Sequence, residues 1–128
     1  MRYAVTEDMA FLRLSEGEEL HRSIAAACEE YSMDSAVIIG GIGMAKEITF
    51  GWYTGQEYIK ERLEGTFEVA SLSGDISIRE GSTYPHIHAV FNGMDHRTVS
   101  GHVLKVVTFH NLEVFIRPLR SKIGRAHV

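Results

Sequence analysis

TFEVASLSGDISIREGSTYPHIHAVFNG, residues 66–93, alternates apolar and polar side chains through three short segments. These segments are 66–73, 75–79 and 86–91, and alternation with a period of two is typical of half-buried strands. Residues 80–84 carry Gly, Ser and Thr and predict a loop, and Asn92-Gly93 predicts a turn. Short strands joined by such connections predict an antiparallel sheet in this part of the chain.

Further strands are predicted on both sides of this stretch, at 35–39, 46–53 and 106–117. In the second of them, Ile48, Phe50 and Trp52 share one face. Residues 40–43, Gly-Gly-Ile-Gly, are expected to break the chain between the first two strands. Residues 54–60 are predicted to be a polar connection.

One helix is predicted ahead of these strands. Ser15 is a suitable N-cap, and Glu18 three residues later completes a capping box. Apolar residues then recur with helical spacing and predict a buried stripe, formed by Leu20, Ile24, Ala27, Cys28 and Tyr31. His21 lies off this stripe, and we expect it to be solvated.

One helix followed by about six strands predicts an α+β fold, a single domain with the helix packed on a largely antiparallel sheet. The chain has 128 residues, which is enough for one domain, with a core of about 2–118 and a tail of 119–128. A regular βαβ alternation is missing, which excludes a doubly wound fold.

The charge balance disfavours nucleic acid as a partner, because 13 Lys and Arg face 17 Asp and Glu and the net charge is −4. One basic cluster occurs near the C-terminus and is predicted to be a solvated tail: Arg117, Arg120, Lys122 and Arg125. No secretory signal or membrane-spanning apolar run is present, so we expect a cytoplasmic protein without a membrane partner. The single cysteine, Cys28, agrees with a reducing compartment.

The histidines give the strongest chemical signal. On a strand, His86 and His88 share a face with Cα atoms about 6.5–7 Å apart. Two imidazoles so placed can converge on one ion with metal–nitrogen bonds of about 2.0–2.1 Å. His102 follows a glycine, which allows close backbone approach, and it is the candidate third ligand. Spacing alone is equally compatible with two solvated histidines on a wet sheet face.

Other candidate sites are weaker. Gly-Gly-Ile-Gly at 40–43 lacks the spacing of a phosphate loop. A cupin metal site is also disfavoured, because its motif requires a glutamate four or five residues after the second histidine, where Asn92 and Gly93 stand. His96 and His110 are predicted to be solvated, the first in a turn and the second at a hairpin end. Glu68 and Glu113 lie within apolar strands, where each is either solvated or orients a histidine.

The order and spacing of several motifs resemble the PPC domain, the plants and prokaryotes conserved domain. The motifs are Phe11-Leu12-Arg13-Leu14, Gly65-Thr66-Phe67-Glu68-Val69, Leu72-Ser73-Gly74, Pro85-His86-Ile87-His88-Ala89, Gly101-His102 and Leu112-Glu113-Val114. The resemblance covers about residues 2–118. It implies an α+β fold with an antiparallel sheet, assembly as a homotrimer, and a divalent metal, usually zinc, on His86, His88 and His102.

Plant members join this domain to an AT-hook, whose Arg-Gly-Arg-Pro core does not occur here, so that DNA-binding activity does not transfer. The leading hypothesis is a homotrimeric zinc-binding domain with a regulatory or DNA-associated role. The alternative is a metal-dependent hydrolase, because three histidines leave a fourth metal position open to water.

Overall fold

The computed structural model describes residues 1–6 and 8–119. The predicted basic tail residues Arg120, Lys122 and Arg125, and His127 with them, lie outside this range. The elements are β1 (Arg2–Val5), β2 (Ala10–Ser15), α1 (Leu20–Glu30), β3 (Ala36–Tyr53), β4 (Tyr58–Arg79), β5 (Ser82–Asn92) and β6 (Thr98–Pro118). Helix α1 has 11 residues, and the described part of the chain contains no helix that could span a bilayer.

The strands form one antiparallel sheet of six, in the order β1-β2-β6-β3-β4-β5. Strand β5 also pairs with β6, so that β3, β4, β5 and β6 form a closed ring of pairings. The predicted antiparallel sheet with one helix is confirmed. The expectation that all strands follow the helix is wrong, because β1 and β2 precede it.

The strands after the helix are fewer and longer than the sequence predicts. Residues 66–73 and 75–79 belong to one strand, β4, and the two strands predicted at 35–39 and 46–53 are joined as β3. Gly41 lies so close to the neighbouring strand that an added Cβ would be 2.8 Å from the Glu113 carbonyl oxygen. The glycines of β3 therefore serve close strand packing and local register shifts, and they do not break the strand.

One face of the sheet, here called the inner face, is covered by α1, which packs against β2, β5 and β6. The buried stripe of α1 contains Leu20, Ile24, Ala27 and Cys28, as predicted, whereas Tyr31 is the C-cap and is 42% exposed. The inner face supplies the remaining core from all the long strands, including Leu12, Ile48, Ile76, Ile87, Val103 and Leu112. The opposite side of the sheet is called the outer face.

The start of α1 differs from the predicted capping box. Glu19 is the N-cap, and its side chain accepts a hydrogen bond from the Arg22 N–H at 2.9 Å. Glu18 does accept from the Ser15 N–H, at 2.7 Å, but this bond closes the turn after β2. One of the two hydrogen bonds of the predicted capping box, from the Ser15 N–H to the Glu18 side chain, is therefore present. It does not cap α1, because the N-cap is Glu19, four residues after Ser15.

His21 is half-buried, and the expectation that it is solvated is wrong. Its Nδ1 lies 3.0 Å from a Glu19 carboxylate oxygen, and its Nε2 lies 3.2 Å from the Val103 carbonyl oxygen. The same Glu19 oxygen accepts from the Val106 N–H at 2.9 Å. These bonds tie the first turn of α1 to the segment of β6 that follows His102.

Candidate metal centre

Strand β5 places His86 and His88 on the outer face. Ile87 between them is fully buried, which anchors the strand on its inner face and fixes the direction of both imidazoles. His86 is half-buried and His88 is exposed. The same-face arrangement predicted from the spacing of these two histidines is present.

Strand β6 supplies the third histidine. His88 is directly opposite His102 in the antiparallel register, and cross-strand partners present their side chains on the same face. The pairing of Ala89 with Gly101 continues this register by one residue. The structure therefore brings together the three predicted ligands from two adjacent strands.

The three rings form a compact triangle. Ring centroids are 5.3 Å apart for His86 and His88, 5.0 Å for His86 and His102, and 5.4 Å for His88 and His102. With metal–nitrogen bonds of about 2.0–2.1 Å and a ring centroid about 1.1 Å beyond each nitrogen, tetrahedral ligands have centroids about 5.2 Å apart. The spacing of the rings fits a three-histidine donor set.

Ring orientation is the second requirement for a metal ligand, and it is not met by these rotamers. Rings His88 and His102 are inclined by 28° and His86 and His102 by 89°. Within residues 1–6 and 8–119, no three His, Cys, Asp or Glu side chains have donor atoms placed to hold an ion. The backbone fixes the Cβ atoms and the first side-chain torsion sets where each ring lies, whereas the second torsion, which is broad, sets where its nitrogens point.

His102 is held in the form that binds metals. Burial lowers its pKa, and the neighbouring His86 and His88 lower it further because a second positive charge is disfavoured there. A hydrogen bond of the ring with the backbone of Gly51 acts in the opposite direction. Neutral imidazole is the ligand form, and a carbonyl partner of this kind also orients a ligating ring.

Strand β4 supports β5 at this point through Gly74. Its φ is +152°, and an added Cβ would overlap the carbonyl oxygen of His86. A residue with a side chain would therefore push β5, and His86 with it, away from β4. Gly74 belongs to the Leu-Ser-Gly motif singled out in the sequence.

An aromatic cavity adjoins the three rings and was missed by the sequence analysis. It has a volume of about 390 Å³ and is lined by Gly51, Trp52, Tyr53, Tyr58, His86, His88, Ser100, Gly101 and His102. The Tyr58 ring lies 5.4 Å from His102 and 5.2 Å from Tyr53. Trp52 shares an alternating pattern with Ile48, but it is 74% exposed because β3 extends past the core there.

A smaller cavity lies on the other side of His88. Its volume is about 200 Å³, and it is lined by Ser71, Ser73, His88, Ala89, Val90, Ser100 and Gly101. Ser73 is directly opposite His88 in the β4–β5 register. Ser71 and Ser73 thus line the cavity whose described residues include no Trp or Tyr, whereas Ser100 lines both cavities.

The remaining candidates lie apart from this centre. His96 occupies the predicted turn with a positive φ, and it is exposed. His110 is exposed as expected, but it lies within β6, where its N–H donates to Glu16. Glu68 is exposed and opposite Asn92, and Glu113 lies 3.7 Å from Arg13, so neither carboxylate orients a histidine.

Solved structures share this fold. A protein from Bacteroides thetaiotaomicron, named as a candidate DNA-binding protein, has a TM-score of 0.91 at 22% identity, covering 99% of this chain and 90% of its own. A plant- and prokaryote-conserved (PPC) protein from Pyrococcus horikoshii has a TM-score of 0.82 at 26% identity, covering 98% and 85%. A metal-containing protein from Archaeoglobus fulgidus has a TM-score of 0.81 at 31% identity, covering 94% and 85%.

No curated protein is significantly similar to this chain. Residues 1–120, which include every described element and all three histidines, match the Plants and Prokaryotes Conserved (PCC) domain. The motifs quoted from the sequence indicated this family, and the fold agrees with that of its Pyrococcus member. The chain belongs to the Plants and Prokaryotes Conserved domain family.

Proposed function

We propose that this protein is a homotrimeric metal-binding module that holds one divalent ion, zinc, per chain on His86, His88 and His102. The observation that carries the proposal is the triangle of imidazole centroids at 5.0–5.4 Å on the outer face. Neutral imidazole suits zinc, nickel, copper and iron, and a three-histidine set without a carboxylate or thiolate agrees with zinc. When bound, such an ion supplies a Lewis-acidic centre with an open position.

The relative from Archaeoglobus fulgidus supports this assignment. It is 31% identical to this chain over 94% of its length and is named a metal-containing protein. Inside this chain, Cys28 offers no competing ligand. It is buried on the inner face, where burial raises the pKa of its thiol to about 11.

The trimer is proposed from the family resemblance, and exposed apolar side chains on the sheet support it. Ile39, Ile42 and Phe115 are 50%, 60% and 37% exposed, and they come from neighbouring strands β3 and β6. Association removes such side chains from water, which stabilises an oligomer of a small domain. A regulatory role and a cytoplasmic location belong to the same proposal.

The hydrolase alternative lacks a general base. No Asp or Glu lines the aromatic cavity or the serine cavity beside the described histidines. A further cavity, which His102 also lines, contains Glu61. Lys60 lines the same cavity, and its positive charge offsets the negative charge of Glu61. One carboxylate, that of Asp75, is opposite His86 in the β4–β5 register, but its Oδ1 is buried and Asp75 lines neither the aromatic cavity nor the serine cavity. Because no described carboxylate lines those two cavities, we favour a binding function over hydrolysis.

Metal analysis of the chelator-treated and reloaded protein tests the proposal. We expect one zinc per chain, a sharp loss of zinc in His86→Ala, His88→Ala and His102→Ala, and full zinc content in the control His96→Ala. The sole tryptophan, Trp52, lines the cavity of the three histidines, so paramagnetic Co²⁺ should quench its fluorescence in the wild type and in His96→Ala alone. Undiminished zinc in His88→Ala would refute the site.

Light scattering tests the assembly. We expect a mass of about 43 kDa, three times the 14.3 kDa of one chain. A mass of one chain at micromolar concentration would refute the trimer and leave the metal site unaffected.

A further inference from the structure

Three cavities meet beside the histidines, and all three are lined by Ser100 and Gly101. The largest, about 640 Å³, adds the apolar residues Phe50, Ile59 and Val99 and the oppositely charged pair Lys60 and Glu61 to the Trp52 side of the aromatic cavity. The arrangement arises because the pairing of β3 with β6 ends at Phe50 and Val103. Beyond that pair, β3 continues with β4 and β6 continues with β5, which opens a cleft between the two hairpins.

The walls of this cleft differ in chemistry. On one side, Trp52, Tyr53 and Ile59 are 74%, 58% and 58% exposed, and Tyr58 continues the row of rings to His102. On the other side, Ser71 and Ser73 line the smallest cavity together with His88, and Ser100 lines all three cavities. Exposed aromatic rings bind flat apolar groups, whereas hydroxyl groups and imidazoles bind oxygen atoms.

We propose that this cleft binds a small carboxylic acid with an aromatic or flat apolar body. The body lies on Trp52, and the carboxylate lies at the histidine end of the same cavity, where the hydroxyl group of Ser100 donates to it. The inference rests on the proposed function in one respect: a divalent ion on the three imidazoles makes that end cationic, because its two positive charges exceed the one negative charge of Asp75, which is opposite His86 in the β4–β5 register. The volumes of the two larger cavities, about 390 and 640 Å³, lie in the range of small-molecule sites, about 300–1,000 Å³.

Three probes separate the parts of this recognition. Benzoate carries both the ring and the charge, benzamide has the ring without the charge, and acetate has the charge without the ring. With zinc-loaded protein in calorimetric titrations, we expect benzoate to bind at least about tenfold more tightly than either comparator.

Variants locate the ring. Trp52→Leu should weaken benzoate about tenfold and leave acetate unchanged, because leucine keeps the surface apolar without offering an aromatic face. Trp52 is largely exposed, so we expect this variant to fold. Phe115→Leu is the matched control: it replaces an exposed aromatic residue of β6 that lines none of the three cavities, and it should bind benzoate as the wild type does.

The zinc content of every sample, measured before titration, distinguishes this inference from the proposed function. Zinc-loaded protein that binds benzoate no better than acetate, or Trp52→Leu that binds benzoate as the wild type does, would overturn the acid site and leave the metal centre standing. A wild type without zinc that still prefers benzoate through Trp52 would overturn the metal centre and support the acid site. Loss of both would overturn both.

Discussion

Ile87 and His88 are neighbours on β5, yet they belong to opposite faces of the sheet with opposite roles. Ile87 is fully buried in the core, whereas His88 is exposed beside two other imidazoles. The two faces also separate the potential metal ligands, because the thiol of Cys28 is buried on the inner face and its pKa is raised to about 11. Strand alternation thus lets a small domain assign stability to one face and chemistry to the other.

Substituting each neighbour by alanine should produce opposite results. We expect Ile87→Ala to lower the free energy of unfolding by about 2–5 kcal/mol, because it leaves a cavity in the core. The folded protein should still bind zinc. We expect His88→Ala to change that free energy by about 0.5 kcal/mol or less in metal-free protein, and to lose zinc.

Urea unfolding of metal-free samples and zinc analysis of the same preparations measure both quantities. If Ile87→Ala lost zinc while remaining folded, or His88→Ala lost several kcal/mol, the division between the faces would be wrong.

Gly74→Ala should affect both faces at once. The added Cβ would overlap the His86 carbonyl oxygen, and a φ of +152° is strained for any residue with a side chain. We expect a loss of about 2–4 kcal/mol in the free energy of unfolding and weaker zinc binding, because β5 must move. Gly81→Ala also places alanine at positive φ, but in open space, so it should be milder and keep zinc affinity. Equal zinc affinity in Gly74→Ala and wild type would show that β4 does not position His86.

The alternation on β5 was readable from the sequence because it depends only on local geometry. Ile87, His86 and His88 require no knowledge of the rest of the chain, since a period of two decides which side chains share a face. The pairing of His88 with His102 could not be derived in this way. Register between β5 and β6 depends on the turn at Gly93 and on core packing, and the family resemblance implied only that His102 shares a site with His86 and His88.

The glycines and the aromatic residues show where sequence reasoning failed. Glycine usually interrupts a strand, but at Gly41 and Gly74 close contact with a neighbouring strand outweighs that tendency. The alternating pattern placed Trp52 on one face with Ile48 and Phe50, and Tyr58 was assigned to a polar connection. Their exposure follows from the extension of β3 and β4 beyond the ring of strands, a tertiary feature that period-two patterning does not encode.

The hydrogen bonds of Glu19 between α1 and β6 should give a smaller effect, which depends on pH. Burial alone would raise the pKa of Glu19, but hydrogen bonds from His21 and from the Val106 and Arg22 N–H groups outweigh it, so the pKa is lowered. A lowered carboxyl pKa stabilises the fold above the ordinary glutamate value of about 4.3, and that stability is lost as the pH falls through the folded value. We therefore expect wild type to lose more stability than Glu19→Gln between about pH 5 and 3.

Thermal unfolding at several pH values measures this difference, with the exposed Glu68→Gln as control. Parallel curves for wild type and Glu19→Gln would mean that the Glu19 carboxylate does not stabilise this contact as an ion.

The smallest expected effect is on DNA, for which we predict no significant affinity at physiological salt. Binding to duplex DNA requires a surface that neutralises several phosphates, and its affinity falls steeply as salt rises. The chain carries 13 Lys and Arg against 17 Asp and Glu, a net charge of −4. A trimer would carry about −12, and three divalent ions would return about +6 at most, so the assembly would remain acidic with zinc bound.

On the outer face, no Lys or Arg lines the aromatic cavity or the serine cavity beside the described histidines. Arg120, Lys122 and Arg125 are the residues that could still bind DNA, and a trimer would carry three copies of each. Labelled duplex titrated at about 150 mM salt, with the full chain and with a version ending at Leu119, separates the two possibilities. Micromolar or tighter binding that disappears in the shorter version would show that these residues outweigh the net charge. Binding retained by both versions would place a nucleic-acid surface on the sheet itself, contrary to the acidic balance of its described residues.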